Sequence, residues 1–194
     1  MIIGAMDLTA VVLAGGKSSR YGSDKALAVV GGRCMIDCVA DTVRRHVEEV
    51  LVSVGDPSVR YDVEGARHVV DRVPGAGPLA GLHAALSAMH TSWLLAIACD
   101  MPFITDAALE ALLEARSEDA LAIVARTPDG QRHPLCACYQ GCILPVVEAR
   151  LRGGNRALLA LLDSLPRVRY VDLSPDALRN VNIETDLSLI SRAC

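Results

Sequence analysis

A chain of 194 residues is long enough for one domain with a sizeable core and too short for two domains of ordinary size. A net charge of −4, with no run of five or six like charges, excludes the basic surface that grips nucleic acid or an anionic membrane. Hydrophobic residues make up 52% of the chain and aromatic ones 3%, which favours helices on a buried sheet over an aromatic-rich sandwich. We therefore expect a single domain, residues 1–194, with small-molecule partners.

The first two thirds of the chain alternate short apolar segments with helix-period segments. The apolar ones are apolar nearly throughout, which is typical of strands covered on both faces; they are 8–14, 48–54, 66–71, 93–100 and 121–126. Helices are predicted over 35–46, 78–90 and 105–116, the last with Thr105 as its N-cap. The alternation of strands and helices along the chain predicts the α/β class, with a doubly wound, Rossmann-like, mostly parallel sheet.

The remainder of the chain has a different pattern. A turn at 128–130 precedes a strand-like segment, HPLCACY, and two helix-like stretches surround residues 153–155. Strands are predicted again over 168–173 and 179–183. Alternation places Cys136 and Cys138 on one face of their strand, which favours reduced core thiols over a zinc site that would add His133 and Cys142.

The location of the protein is predicted from its cysteines and its apolar runs. Seven cysteines form an odd set, and the first residues lack the charged-then-apolar pattern of a secretion signal. No apolar run approaches the roughly 20 residues that span a bilayer. We expect a cytoplasmic protein with reduced thiols.

The first strand runs into a loop of glycines, hydroxyls and cations in VVLAGGKSSRYGSDKA, residues 11–26. This segment matches neither the Rossmann fingerprint nor the Walker A motif, because the glycine spacings differ and Lys25 is followed by Ala. Gly15 and Gly16 nevertheless permit close backbone approach to a ligand, and Arg20 and Lys25 bring cations to it. The loop suits a polyphosphate; the alternative is a glycine turn with solvated surface cations.

Two aspartates follow predicted strands, Asp71 and Asp100. Ligands of open α/β sheets lie at the carboxyl ends of the strands, so both should lie near the glycine loop, with Asp100 as first choice for a Mg²⁺ ligand. Each could instead simply form a turn. Between them, Gly75, Gly77 and Gly81 precede and enter a helix expected to be amphipathic. This segment can form a second close-approach surface opposite the first; the alternative is an ordinary loop that is capped by a helix.

Five segments together resemble the molybdenum cofactor guanylyltransferase family: LAGGKSSRYGSDKA, GPLAGL, CDMPF, RHPLCACY and NVNIETDL. They occur in the family's order and cover nearly the whole chain. Where the family usually has R-M-G and N-T-P-E-D, this chain has Arg20-Tyr21-Gly22 and residues 182–186 NIETD, so the pterin contacts are the less certain part. The resemblance implies an α/β fold of the nucleotidyltransferase/glycosyltransferase-A type.

The resemblance also implies an activity: a Mg²⁺-dependent transfer of GMP from GTP to the phosphate of molybdopterin, which releases pyrophosphate. It implies GTP and molybdopterin as substrates, and molybdoenzymes with their chaperones as further partners. Two alternatives stay open, a cytidylyltransferase acting on molybdopterin or another phosphorylated acceptor, and a non-catalytic pterin- or nucleotide-binding chaperone.

Site residues follow from the same resemblance. The implied catalytic residues are Lys25, Arg20 and Asp100, with Asp100 as the metal ligand, and Asn180 and Asn182 lie on the pterin side. The implied nucleotide-binding residues are Leu13, Ala14, Gly15, Gly16, Arg20, Gly22, Lys25, Asp71, Gly77 and Asp100. Arg132 and His133 either line the pterin side or are structural, and Arg156 either meets an anionic substrate or is solvated. Trp93 is expected in the core.

Overall fold

A computed structural model of the protein describes residues 7–14, 24–73, 75–181 and 186. The strands in these ranges are β1 (Leu8–Leu13), β2 (Val29–Val30), β3 (Arg33–Cys34), β4 (Glu49–Val54), β5 (Ala66–Val70), β6 (Trp93–Ala98), β7 (Ala122–Arg126), β8 (Arg132–Gln140) and β9 (Val168–Asp172). The α-helices are α1 (Met35–Arg44), α2 (Pro78–Ala88), α3 (Asp106–Glu114), α4 (Leu144–Arg152) and α5 (Leu158–Ser164).

Seven strands form one sheet in the order β5-β4-β1-β6-β8-β7-β9. Neighbouring strands pair in parallel except at β8, which is antiparallel to both β6 and β7. The prediction of a doubly wound, mostly parallel sheet is therefore confirmed. The two short strands β2 and β3 pair separately as an antiparallel hairpin.

Helices cover both faces of the sheet, which explains the unbroken apolar strands. All six residues of β1 and all six of β6 are buried. On one face α1 and α3 share a core with Leu8, Ala10 and Val12 of β1, and on the other α2, α4 and α5 share a core with Val11 and Leu13. Trp93 is buried in the first of these cores, as expected. Cys136 and Cys138 share that core, so they lie on one face.

The first three helices begin within one residue of their predicted starts and end two residues early. Thr105 caps α3 as predicted, its hydroxyl accepting a hydrogen bond from the Ala108 N–H at 3.3 Å. The prediction that α2 is amphipathic was wrong. Its residues 79–86 are all buried, because the helix is enclosed between the sheet and α4. Among the described residues no helix is long and apolar enough to cross a membrane.

The strand predicted over 179–183 is also wrong in its described part. Residues 179–181 have no strand conformation, and the Val181 N–H donates instead to the backbone carbonyl of Asp100 at 2.8 Å. A loop bond to the end of β6 takes the place of sheet pairing there. Residues 182 and 183 lie outside the described residues.

The sheet has a topological switch point at β1. The chain passes from β1 outward through β4 to β5 and then returns to place β6 on the other side of β1. In open α/β sheets the crevice at such a point, outside the carboxyl ends of the strands, is where ligands bind. The strands β1, β5 and β6 end at Leu13, Val70 and Ala98. The topology therefore brings Ala14, Asp71 and Asp100 to the same edge of the sheet.

Candidate active site

Lys25 and Asp100 form an ion pair at this edge of the sheet. The Lys25 ammonium donates to Asp100 Oδ2 at 2.6 Å, and the two side chains are 30% and 18% exposed. Asp100 Oδ1 is buried, and no group among the described residues donates a hydrogen bond to it. A buried carboxylate oxygen without a donor is costly unless a ligand or ion supplies the missing contact.

Asp24 positions the short segment that carries Lys25. It caps the 3₁₀ turn Lys25–Leu27, with Oδ1 accepting from the Ala26 N–H at 3.0 Å, while Oδ2 accepts from the Tyr61 hydroxyl at 2.6 Å. Sequence reasoning did not select Asp24 or Tyr61. The Asp directly before the K-A-L turn is a capping signal that could have identified Asp24, but the loop position of Tyr61 gave no signal.

Asp71 is held at the end of β5 by two contacts from β4. Its N–H donates to the Val54 carbonyl at 3.0 Å, and the Ser53 hydroxyl donates to Asp71 Oδ1 at 2.8 Å. Burial raises the pKa of Asp71, and the Ser53 hydrogen bond offsets this only in part. A half-buried carboxylate with a raised pKa, at the ligand-binding edge of a sheet, is a candidate functional group.

The glycines around α2 divide into two kinds. Gly75 and Gly77 have φ of 71° and 68°, with open space where a side chain would begin. Gly81 instead faces the sheet, and a Cβ there would lie 2.5 Å from both Leu13 Cδ2 and Ser53 Oγ. The expectation that Gly81 belongs to a ligand-facing surface was therefore wrong. Its role is to let α2 pack closely against β1 and β4.

Several other predicted residues have identifiable contacts. Leu13 is buried and its carbonyl accepts from the Cys99 N–H at 3.2 Å, while the Ala14 N–H donates to the Ser53 carbonyl at 3.1 Å. Asn180 is exposed beside Val181, whose N–H contacts Asp100. The nucleotide-binding and pterin-side roles of these residues stay predictions. The remaining predicted site residues lie outside the described residues: Gly15, Gly16, Arg20, Gly22 and Asn182.

Two of the three residues with alternative roles, Arg132 and Arg156, have partners within the protein. Arg132 donates to Asp163 at 2.6 Å, and Arg156 donates to the carbonyl of Gly75 at 3.0 Å. His133 is half-buried, its Nε2 has no partner among the described residues, and burial lowers its pKa.

The described residues contain no group of three or more His, Cys, Asp or Glu side chains that could hold a metal ion. Cys136 and Cys138 are fully buried, as expected of core thiols, whereas Cys142 is exposed. Burial also raises the pKa of Cys99 to about 12, so this thiol next to Asp100 stays protonated and is a poor nucleophile.

The carboxyl edge of the sheet at its switch point carries a glycine-containing segment, a lysine and two aspartates. Comparisons with known proteins identify this arrangement as that of a nucleotidyltransferase. Residues 10–168 match the family model described as the MobA-like NTP transferase domain. A Deinococcus radiodurans protein named probable molybdenum cofactor guanylyltransferase is 34% identical, and the match covers 96% of this chain and 95% of that one. A Yersinia pseudotuberculosis molybdenum cofactor guanylyltransferase is 32% identical, with 94% of each chain covered.

Solved structures give the same picture. The molybdopterin-guanine dinucleotide biosynthesis protein A of Archaeoglobus fulgidus superposes with a TM-score of 0.79 at 26% identity, over 96% of this chain and 98% of that one. A Thermus thermophilus cytidylyltransferase superposes at 0.70 with 20% identity, over 94% and 96%, which shows the shared fold. The protein belongs to the MobA-like NTP transferase family, among the molybdenum cofactor guanylyltransferases, as its sequence motifs indicated.

Proposed function

We propose that this protein transfers GMP from GTP to the phosphate of molybdopterin, releasing pyrophosphate and forming molybdopterin guanine dinucleotide. Family membership supports the reaction class, and the names of the relatives support guanine and molybdopterin. The observation that carries the proposal is the Lys25–Asp100 pair at the switch point, with one Asp100 oxygen left for a further ligand. Molybdoenzymes and their chaperones, and a cytoplasmic location, belong to the same proposal.

Asp100 is the residue we propose to bind Mg²⁺. The chemistry of the donor fits, because Mg²⁺ prefers carboxylate oxygens and is commonly held by one or two carboxylates with substrate phosphates and waters. This explains why a functional metal site need not show three protein ligands. When bound, Mg²⁺ neutralises phosphate charge and orients the triphosphate.

The chain's own residues then act by position and charge. A phosphate oxygen of molybdopterin forms a bond to the α-phosphorus of GTP, and the bond from that phosphorus to the bridging oxygen breaks, so pyrophosphate leaves with the electron pair. Because the attacking phosphate is already anionic at neutral pH, no general base is needed. Lys25, with Arg20 from the adjacent loop, would offset the charge that develops on the α-phosphate and the leaving group.

The remaining predicted residues have supporting roles in this proposal. Gly15, Gly16, Gly22 and Gly77 would allow the backbone to approach the nucleotide, and Leu13 and Ala14 at the end of β1 would contact it directly before this loop. Asp71 would accept a hydrogen bond from it, which would offset the cost of burying that carboxylate. Asn180 and Asn182 would face the pterin, since Val181 between them is bonded to Asp100.

Calorimetric binding of GTP, CTP, ATP and UTP, each with Mg²⁺, tests the proposal. We expect a clear preference for GTP, followed by pyrophosphate release only when molybdopterin is added. A preference for CTP would move the function to the cytidylyltransferases. Binding of GTP without pyrophosphate release in the presence of molybdopterin would instead favour a non-catalytic chaperone.

A further inference from the structure

Tyr61 contacts Ala14 and Asp24, the described residues on either side of the glycine loop. It lies between β4 and β5 and is 6% exposed. Its hydroxyl donates to Asp24 Oδ2 at 2.6 Å and lies 3.4 Å from the carbonyl oxygen of Ala14. Ala14 follows β1 directly, and Asp24 directly precedes Lys25, so one phenol is hydrogen-bonded to the residue after 15–23 and contacts the residue before them.

Asp24 connects this phenol to the ion pair of the site. One of its oxygens accepts from Tyr61 and the other caps the 3₁₀ turn at Ala26. Lys25 is the first residue of that turn, and its ammonium reaches Asp100. The Asp24 carboxylate thus holds the backbone of the Lys25 turn with one oxygen, and Tyr61 holds the other oxygen.

Tyr61 is anchored independently of the loop. Its backbone N–H donates to His68 Nε2 on β5 at 3.1 Å, and its ring packs in the core with α1 and β4. Burial, followed by the Asp24 carboxylate, raises the pKa of the Tyr61 phenol. The phenol therefore stays protonated at physiological pH and remains a hydrogen-bond donor to Asp24. The proposed transfer reaction gives it no role.

We propose that Tyr61, acting through Asp24, is a positioning residue that orients Lys25 toward the triphosphate. The inference rests on the proposed function only in taking Lys25 as a phosphate contact. Lysine has a flexible stem and a point charge, so its contribution depends on a fixed backbone origin. Small displacements of positioning groups are known to cost large factors in rate.

The test compares Tyr61→Phe with Tyr139→Phe. Tyr139 is fully buried, and its hydroxyl donates to the Pro134 carbonyl at 2.7 Å, away from Lys25, so both variants lose one hydroxyl and one hydrogen bond. We expect similar falls in melting temperature for the two variants. The dissociation constant of the triphosphate that the wild type prefers should rise about tenfold in Tyr61→Phe, as for a lost charge-assisted hydrogen bond, and less than twofold in Tyr139→Phe.

A double-mutant cycle with Asp24→Asn separates positioning from a general loss of stability. If Tyr61 acts through Asp24, adding Tyr61→Phe to Asp24→Asn should raise the dissociation constant by less than threefold, well below its effect alone. An affinity of Tyr61→Phe within twofold of wild type, or full additivity in the cycle, overturns the inference. A wild type that prefers CTP overturns guanylyl transfer but leaves this comparison valid with CTP. A wild type that binds no triphosphate overturns both.

Discussion

At the scale of single residues, Asp100 and Lys25 show how a site can be recognised by an incomplete set of contacts. Asp100 uses Oδ2 for Lys25, while the buried Oδ1 has no donor among the described residues. An unpaired buried carboxylate oxygen costs stability, and a ligand that contacts it offsets that cost. A cation or substrate that completes this carboxylate is what the proposed function supplies.

The corresponding residue-scale prediction concerns turnover. Lys25→Ala and Asp100→Asn should each lower turnover about a hundredfold or more, because each removes one preorganised electrostatic contact. Asp119→Asn is the matched control. Asp119 is an exposed carboxylate that pairs with Arg169, and it lies just before the start of β7, at the edge of the sheet opposite to the site. Pyrophosphate release measured on folded variants decides the matter. Near wild-type turnover in Asp100→Asn would defeat the metal assignment.

At the scale of secondary-structure elements, the packing of α2 on β1 and β4 links fold to site. Gly81 allows α2 to approach Leu13 and Ser53, and Ser53 in turn donates to Asp71. A displacement of α2 would therefore be transmitted through the Ser53 side chain to Asp71, a predicted nucleotide-binding residue. The G-P-L-A-G motif thus has one glycine for a positive φ, Gly77, and one for close packing, Gly81.

This packing predicts a stability effect with a functional consequence. Gly81→Ala should destabilise the protein by about 1–2 kcal/mol, because the overlap with strand-anchored Leu13 and Ser53 exceeds the roughly 1 kcal/mol of gained helix propensity. Gly55→Ala is the control, since a Cβ at Gly55 would lie 3.8 Å from Asp71 Oδ2, an ordinary contact. Denaturant titrations should show a lower midpoint for Gly81→Ala alone. Equal midpoints would contradict the packing argument.

At the scale of the whole molecule, the sequence predicted the features set by local patterns. Continuous apolar segments identified β1 and β6, and strand-end logic brought Asp71 and Asp100 to one edge. Contacts between distant residues were not predictable in this way. Tyr61 is 37 residues from Asp24, and nothing in its loop indicates this partner. Similarly, the apolar spacing of α2 cannot show that α4 covers its outer side. The wrong strand prediction over 179–181 has the same cause, since the Val181 N–H bond to Asp100 is long-range and leaves no local pattern.

The pH dependence of stability is a property of the whole molecule to which two partly buried histidines contribute. Burial lowers the pKa of His68, with a smaller contribution from Arg60, and burial also lowers the pKa of His133. The ordinary value in an unfolded chain is about 6.5. The unfolded chain therefore binds more protons as pH falls through that value, so stability is present above it and declines below it. For His68 there is a direct reason, because protonation of Nε2 would remove the acceptor of the Tyr61 N–H.

We expect the melting temperature to be lower at pH 5.5 than at pH 7.5 because of these two histidines. Asp71 acts with the opposite sign, since burial raises its pKa and the folded state binds that proton more tightly. The test therefore compares histidine variants with the wild type, because the dependence of the wild-type melting temperature on pH combines both effects. His68→Gln and His133→Gln should each flatten the dependence, while His90→Gln, at an exposed position, should retain it. An unchanged slope in both His68→Gln and His133→Gln would show that the acid sensitivity has another origin.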